Sequence, residues 1–332
     1  MFPEAVAPEH WDAVPVAARG GAPRGAVSSD EEAEMYEPSD DEPRDEDERG
    51  ADLLLLKARV AGATARGVLA AAEGGDAVAA ADLVPGRYEG GLKLWECAVD
   101  LCEVLCDKYG VPFDALGDPN GTLGVTGEGG GGAGEGVGEG VGGDVGAAAR
   151  GAGGGGGEWG SLRGARVLEL GCGHALPGIV AAAGGARAVY LQDYNRGVLD
   201  AATRPNVEAN LARMRPGAER PSVRYFAGDW GSLEGPLTGG EGGGPFDVVL
   251  SAETVYEKGA TARLLGLLKA VVGRRGVALV AAKAYYFGVG GGSREFARAV
   301  AADGFFSCEV VRQDRDGASN IREVLALRPA RE

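Results

Sequence analysis

No apolar run in these 332 residues is long enough to cross a bilayer, so no membrane span is expected. No cluster of cysteine and histidine has metal-ligand spacing either. Cys97, Cys102 and Cys106 recur at helical intervals without a companion histidine, and are expected to pack rather than ligate. Five cysteines and no signal-peptide pattern point to a reduced, intracellular chain, cytoplasmic or nuclear or both. The N-terminus is acidic, unlike an Arg-rich transit peptide. A basic surface is missing as well: the net charge is −16, and the first 50 residues carry 15 acidic against 4 basic residues. The remainder, with 34 against 29, is mildly acidic and suggests no direct nucleic-acid site.

Glycine is what the chain has in excess, 60 residues in clusters. Residues 1–50, rich in Ala, Pro, Asp and Glu, read as an acidic disordered tail. Residues 51–83 form an Ala-rich lead able to take up helix, interrupted by glycines. Residues 84–116 hold Gly90-Gly91 and then a helix with apolar positions at 94, 95, 98, 101, 102 and 105, expected to lid a cofactor. Residues 117–160 are about half glycine and read as a disordered insertion, whose length costs little because loop-closure entropy grows slowly. Residues 161–332 are the core.

That core alternates strand and helix. Strands are expected at 166–170, 188–193, 223–228, 247–252, 276–282, 305–312 and 323–328, with helices near 176–184, 197–212, 260–273 and 293–303. The fold class is therefore α/β: a Rossmann-like, seven-stranded, mostly parallel sheet with helices on both faces. Only residues 314–320 separate the last two strands, room for a hairpin, so an antiparallel terminal pair is expected.

Open sheets of this kind bind ligands at the carboxyl ends of their strands. There the run Arg166-Val-Leu-Glu-Leu-Gly-Cys-Gly173 makes a strand and a glycine turn, and Pro177 opens the next helix. A dinucleotide fingerprint would need a third glycine where Leu176 stands. Glu169 ahead of Gly171 and Gly173 instead suits S-adenosylmethionine (SAM), whose amino group and sulfonium favour nearby negative charge. Asp193, about 20 residues on, ends the second strand and can hold two ribose hydroxyls.

Six stretches together carry a resemblance: Glu89-Gly-Gly-Leu-Lys-Leu-Trp-Glu-Cys97, Leu168-Glu-Leu-Gly-Cys-Gly173, Gln192-Asp-Tyr-Asn195, Pro205-Asn-Val-Glu-Ala-Asn210, Ser251-Ala-Glu-Thr-Val-Tyr256, and Lys283-Ala-Tyr-Tyr-Phe-Gly-Val-Gly-Gly-Gly292. The chain resembles the protein-histidine N-methyltransferases of the seven-strand SAM-dependent superfamily, over about residues 84–116 and 160–329. The resemblance implies methylation of the tele nitrogen of a histidine in a large-subunit ribosomal protein, the third of that series; the chain itself is expected to be a monomer. It implies a cofactor lining of Leu94, Trp95, Glu96, Cys97, Ala98, Gly171, Gln192, Asp193, Tyr194, Asp229, Trp230 and Ser251. His174 departs from it, since such relatives commonly have a small residue there; the ring reads as tolerated variation rather than a base.

Methyl transfer to imidazole needs little acid–base help, because the ring is mostly neutral at pH 7 with one free lone pair. The task left is to fix the tautomer by accepting the other ring N–H. Glu253, after the fourth strand, is the candidate, and Tyr285 and Tyr286 could form a ring slot. Glu253 could equally cap the next helix, and the tyrosines could be packing. Lys283 could pair with Glu253, with a substrate acid, or in a plain salt bridge. Gly288 to Gly292 could close over a peptide or make a tight connection. A protein-lysine methyltransferase and a non-catalytic SAM-binding ribosome-assembly factor remain alternatives.

Overall fold

The computed structural model describes residues 11–16, 53–58, 89–117, 159–239, 243–286, 288, 290–315 and 321–330. Trp11–Val16 (β1) and Leu53–Ala58 (β2) pair antiparallel, from Trp11 opposite Ala58 to Val16 opposite Leu53. These strands fall in the segments read as a disordered tail and a helical lead, and they correct both readings at those positions. Val16 and Leu55 are fully buried against the main core, which gives the ribbon its reason to form. The rest of residues 1–88 and most of the glycine-rich insertion lie outside the described residues. The insertion's two edges are tied down. Gly117 donates its N–H to the Arg213 carbonyl at 2.9 Å, and Trp159 meets Tyr109 edge-on at 6.1 Å.

Helix α1, Glu96–Tyr109, follows Trp95 and stops at Gly110, whose left-handed backbone (φ 63) returns its N–H to the Cys106 carbonyl. It starts two residues after the apolar pattern, so Leu94 and Trp95 are its lead, not its first turn. Cys97, Cys102 and Cys106 are buried in its packed face, as the helical reading expects.

The core then unfolds in order: β3 Arg166–Leu170, α2 Leu176–Ala183, β4 Ala188–Asp193, α3 Arg204–Ala212, β5 Ser222–Ala227, α4 Trp230–Thr238, β6 Phe246–Ala252, α5 Lys258–Val271, β7 Val272–Lys283, α6 Ser293–Asp303, β8 Phe306–Arg315 and β9 Ile321–Pro329. The strands line up β5-β4-β3-β6-β7-β9-β8. The first five are parallel, and β9 runs antiparallel to both neighbours. This is the expected seven-stranded, mostly parallel sheet with its terminal hairpin.

Both sheet faces are apolar, and successive residues alternate between them. Val167, Val189, Leu191, Val248, Leu250 and Leu279 face α1 and α2. Leu168, Leu170, Tyr190, Val249 and Val280 face α4, α5 and α6, where Leu237, Leu264, Leu268 and Phe296 meet them. At about 1.5–3 kcal/mol per buried large aliphatic or aromatic side chain, this two-sided burial is the main force ordering the sheet.

Two local departures have physical causes. Helix α4 escaped the sequence reading because Gly231, Gly235 and Pro236 are poor helix formers, yet the Asp229 side chain caps it by accepting the Gly231 N–H at 2.8 Å. The helix expected over 197–212 contains a π-helical turn, Leu199–Thr203, just before Pro205. Proline lacks an N–H and crowds the carbonyl four residues back, and a wider turn relieves that clash.

Candidate functional site

Because the chain runs β3-β4-β5 outward and then returns to β6 on the other side of β3, a crevice opens at the carboxyl ends of β3, β4 and β6. There lies a cavity of about 860 Å³, including its part open to solvent. Its floor is the glycine turn after β3. Gly171 (φ 64) and Gly173 (φ 47) are left-handed, and there is no room for side chains. A Cβ on Gly171 would stand 2.6 Å from Thr254 Cγ2, and one on Gly173 3.0 Å from the Gly91 carbonyl oxygen.

Gln192 ties the floor together. Its carbonyl oxygen accepts the Gly171 N–H at 3.1 Å and the Trp230 indole N–H at 2.9 Å, while its amide donates to the Gly228 carbonyl at 2.9 Å. Asp193 accepts the Gly173 N–H on Oδ2 and the Asn195 N–H on Oδ1, both at 3.0 Å. Each of its oxygens keeps a further lone pair for a ligand hydroxyl. Burial pushes the Asp193 carboxyl up to about 6. Glu169 is buried too, and its Oε2 accepts the Gly178 N–H at 2.8 Å. Burial raises that carboxyl to about 8, the Gly178 bond opposing it.

Among the described residues the lining holds five acids, Glu89, Glu169, Asp193, Asp229 and Glu253, against two bases, Lys93 and Arg263, and the acids outnumber the bases even with Glu169 protonated. A pyrophosphate would meet repulsion here, and the Gly178 N–H that could receive it is already taken by Glu169. A ligand carrying positive charge and a ribose diol fits the donor set.

The roof is the segment 89–95. Glu89 donates its N–H to Asn195 Oδ1 at 3.1 Å, the Trp95 indole N–H reaches the Gly90 carbonyl at 3.1 Å, and the Lys93 ammonium sits 4.5 Å above the Trp95 ring. Leu94, Trp95, Ala98 and Tyr194 line the cavity, as do Asp229 and Trp230.

At the end of β6, Glu253 is buried with a left-handed backbone (φ 56), rare for a residue with a side chain. Tyr286 donates its hydroxyl to Glu253 Oε2, while among the described residues Oε1 is buried without a hydrogen-bond partner. A strained backbone that holds an unsatisfied carboxyl oxygen at a cavity wall makes Glu253 a candidate functional position. Burial first, then the Glu253 carboxyl, holds the Tyr286 phenol well above its ordinary range. The same two causes raise the Cys97 thiol, which lies beneath.

Several expected site residues stand elsewhere. Tyr286 lies behind Glu253 rather than in a ring slot, and Tyr285 points outward, 46% exposed, its hydroxyl accepting from Arg294 at 3.0 Å. Ser251 is fully buried, bonded to the Leu170 carbonyl and to Thr254. Glu96 faces solvent and pairs with Lys283 at 3.4 Å, so Lys283 makes the plain salt bridge. Gly291 and Gly292 make a tight connection: Gly292 donates to the Val255 carbonyl at 2.7 Å, and a Cβ on Gly291 would lie 2.5 Å from that same oxygen. Gly91 and Thr254 stand inside motifs that the sequence shows but were given no site role there, and Arg263, which lines the cavity from α5, belongs to no short pattern.

A family model described as lysine methyltransferase matches residues 152–288. A histidine protein methyltransferase 1 homolog of Dictyostelium discoideum is 32% identical over 246 residues, covering 74% of this chain and 60% of that protein. Its Rattus norvegicus counterpart is 30% identical over 253 residues, covering 71% and 56%. The chain thus spans little more than half the length of these curated relatives. A protein N-terminal and lysine N-methyltransferase of Candida glabrata is 32% identical over a shorter 115 residues, 34% of this chain and 43% of that one. Among solved structures, magnesium protoporphyrin IX methyltransferase from Synechocystis with bound SAM is 18% identical with a TM-score of 0.37, covering 50% of this chain and 71% of that one.

Proposed function

We propose, from the premise that this chain has the seven-strand methyltransferase fold and is similar over 71–74% of its length to histidine protein methyltransferase 1 homologues, that it is a SAM-dependent protein-histidine N-methyltransferase. SAM, when bound, supplies a methyl group on a sulfonium. Asp193 would accept the ribose hydroxyls, and the acidic lining would favour the ligand's positive charge. The segment 89–95, with Trp95, would exclude water, which direct displacement requires.

Glu253 carries the reading. An imidazole entering at this wall would donate its one N–H to the unpaired Oε1, and its other nitrogen would then keep a free lone pair directed at the cavity. Tyr286 would hold the carboxyl in place rather than touch the ring. The acceptor would be the tele nitrogen of a histidine in a large-subunit ribosomal protein, which is what the motif resemblance implies.

The family model's description favours lysine as a second acceptor. A lysine amine, with a pKa of about 10.4, must first shed a proton, and among the described lining residues Glu253 would have to take it. Incubation with labelled SAM and ribosomal proteins, followed by residue-level mass spectrometry, separates the readings. Methyl-histidine is expected; methyl-lysine alone would overturn the assignment.

A further inference from the structure

His174 has no part in the proposed chemistry, yet it is only 3% exposed and makes contacts on two sides. Its Nε2 lies 3.0 Å from the Leu92 carbonyl oxygen. Its Nδ1 lies 3.1 Å from Asn206 Nδ2, and the same amide donates to the His174 carbonyl at 2.9 Å. An amide nitrogen only donates, so Nδ1 must accept and the ring proton resides on Nε2, aimed at Leu92. The neutral form suits this arrangement, and burial lowers the ring's pKa to about 4.

Leu92 is the middle of the roof. One residue earlier, Gly91 packs so closely that a Cβ there would lie 2.9 Å from Asp193 Oδ2 and 2.7 Å from Val198 Cγ1. The roof therefore forms one wall of the pocket around the Asp193 carboxyl. Asn206 is itself fully buried in α3, with the Asn210 amide donating to its carbonyl at 2.8 Å. The stretch Pro205 to Asn210, prominent in the sequence but outside the cavity lining, thus has a mechanical use. It holds His174, and His174 holds the roof.

We propose that His174 is a positioning residue: through Leu92 it latches the segment 89–95 over the cofactor pocket and slows exchange of the cofactor and its demethylated product. This rests on the methyltransferase reading above. Opening the roof would separate Gly91 from Asp193 and expose the ribose end of the pocket to solvent. The latch closes through the part-buried hydrogen bond between His174 and the Leu92 carbonyl, and loss of such a bond amounts to about a tenfold change in an equilibrium.

The test is release of S-adenosylhomocysteine from the full chain, followed by displacement with excess SAM. His174→Ala should release it about tenfold faster than the wild type and raise KM for SAM by a similar factor, a larger change than any in kcat. His174→Gln can still place an N–H near the Leu92 carbonyl and should keep the slow release, whereas the shorter His174→Asn should not. That pair decides the matter if the alanine variant fails to fold. Equal release rates for glutamine and asparagine, or an alanine variant within twofold of wild type, would overturn the latch. A wild-type chain that binds no S-adenosylhomocysteine would overturn the methyltransferase reading itself, and the latch with it.

Discussion

Glu253 holds an unfavourable backbone and an unsatisfied buried oxygen at once. Replacing it by glutamine keeps the shape but turns one acceptor into a donor, which a ring N–H cannot use. Activity should fall about a hundredfold or more, the scale for a positioned polar group in a transition state. Tyr286→Phe should cost less, about tenfold, because it frees the carboxyl without removing it. If Tyr286 acts only through Glu253, the double variant should be no worse than Glu253→Gln alone, and a double-mutant cycle of kcat values reads this directly. Additive losses would mean that Tyr286 meets the substrate independently. Glu169 gives a second prediction, in stability. Its carboxyl rises from 4.5 to about 8 on folding, so between those values the folded state holds a proton that the unfolded chain releases. Stability must then fall as pH rises through that window and level off above it. Asp193 adds a similar slope that ends near 6. Chemical denaturation of the unliganded protein between pH 6 and 8 should therefore show a loss in wild type that Glu169→Gln lacks. At this scale the sequence was most legible where a motif places a residue by backbone alone, as for Gly171, Gly173, Gln192 and Asp193. It was least legible for Tyr285 and Tyr286, adjacent residues on opposite sides of the chain, because spacing does not reveal which of two neighbours turns inward.

Among the elements, α1 carries the roof and must be held at a fixed height above the strand ends. Its polar face is locked to the terminal hairpin: Asp100 takes Arg322 of β9 bidentately at 2.6 and 3.2 Å, and Glu103 takes Arg312 of β8. Burial pushes the Asp100 carboxyl up even with Arg322 beside it, so desolvation offsets much of the charge attraction. Such a pair fixes geometry more than it stabilises. Asp100→Ala alone should destabilise by about 3–5 kcal/mol by taking the bidentate carboxylate away from Arg322, whereas Asp100→Leu with Arg322→Leu should come close to wild type in urea denaturation. A double variant as unstable as the single one would contradict this. The sequence showed that α1 exists through its apolar period, but not what it leans on, since its ionic partners lie more than 200 positions away. Strand positions were readable because two-sided burial writes continuous apolar runs. Helix α4 was not, because its glycines and proline obscure a helix that is ordered by its Asp229 cap and by Leu233 and Leu237 in the core.

For the whole molecule, the ribbon of β1 and β2 is the feature that composition hid. An Asp- and Glu-rich, proline-containing region reads as solvated, and a six-residue strand inside it is too short to outweigh that average. Pairing across some 40 residues supplies what neither strand has alone, and Val16 and Leu55 are buried through it. Val16→Asp should therefore destabilise the full chain by about 3 kcal/mol or more, as an unpaired charge forced into a core does. A melting temperature equal to wild type would restore the solvated-tail reading. The acid-lined crevice beside β3 should bind the demethylated cofactor, and isothermal titration with S-adenosylhomocysteine reads that binding directly. Saturable one-to-one heat is expected for the wild type and a much weaker response for Asp193→Ala. A wild-type titration without heat at any temperature tried, or an Asp193→Ala variant that binds equally well, would contradict it.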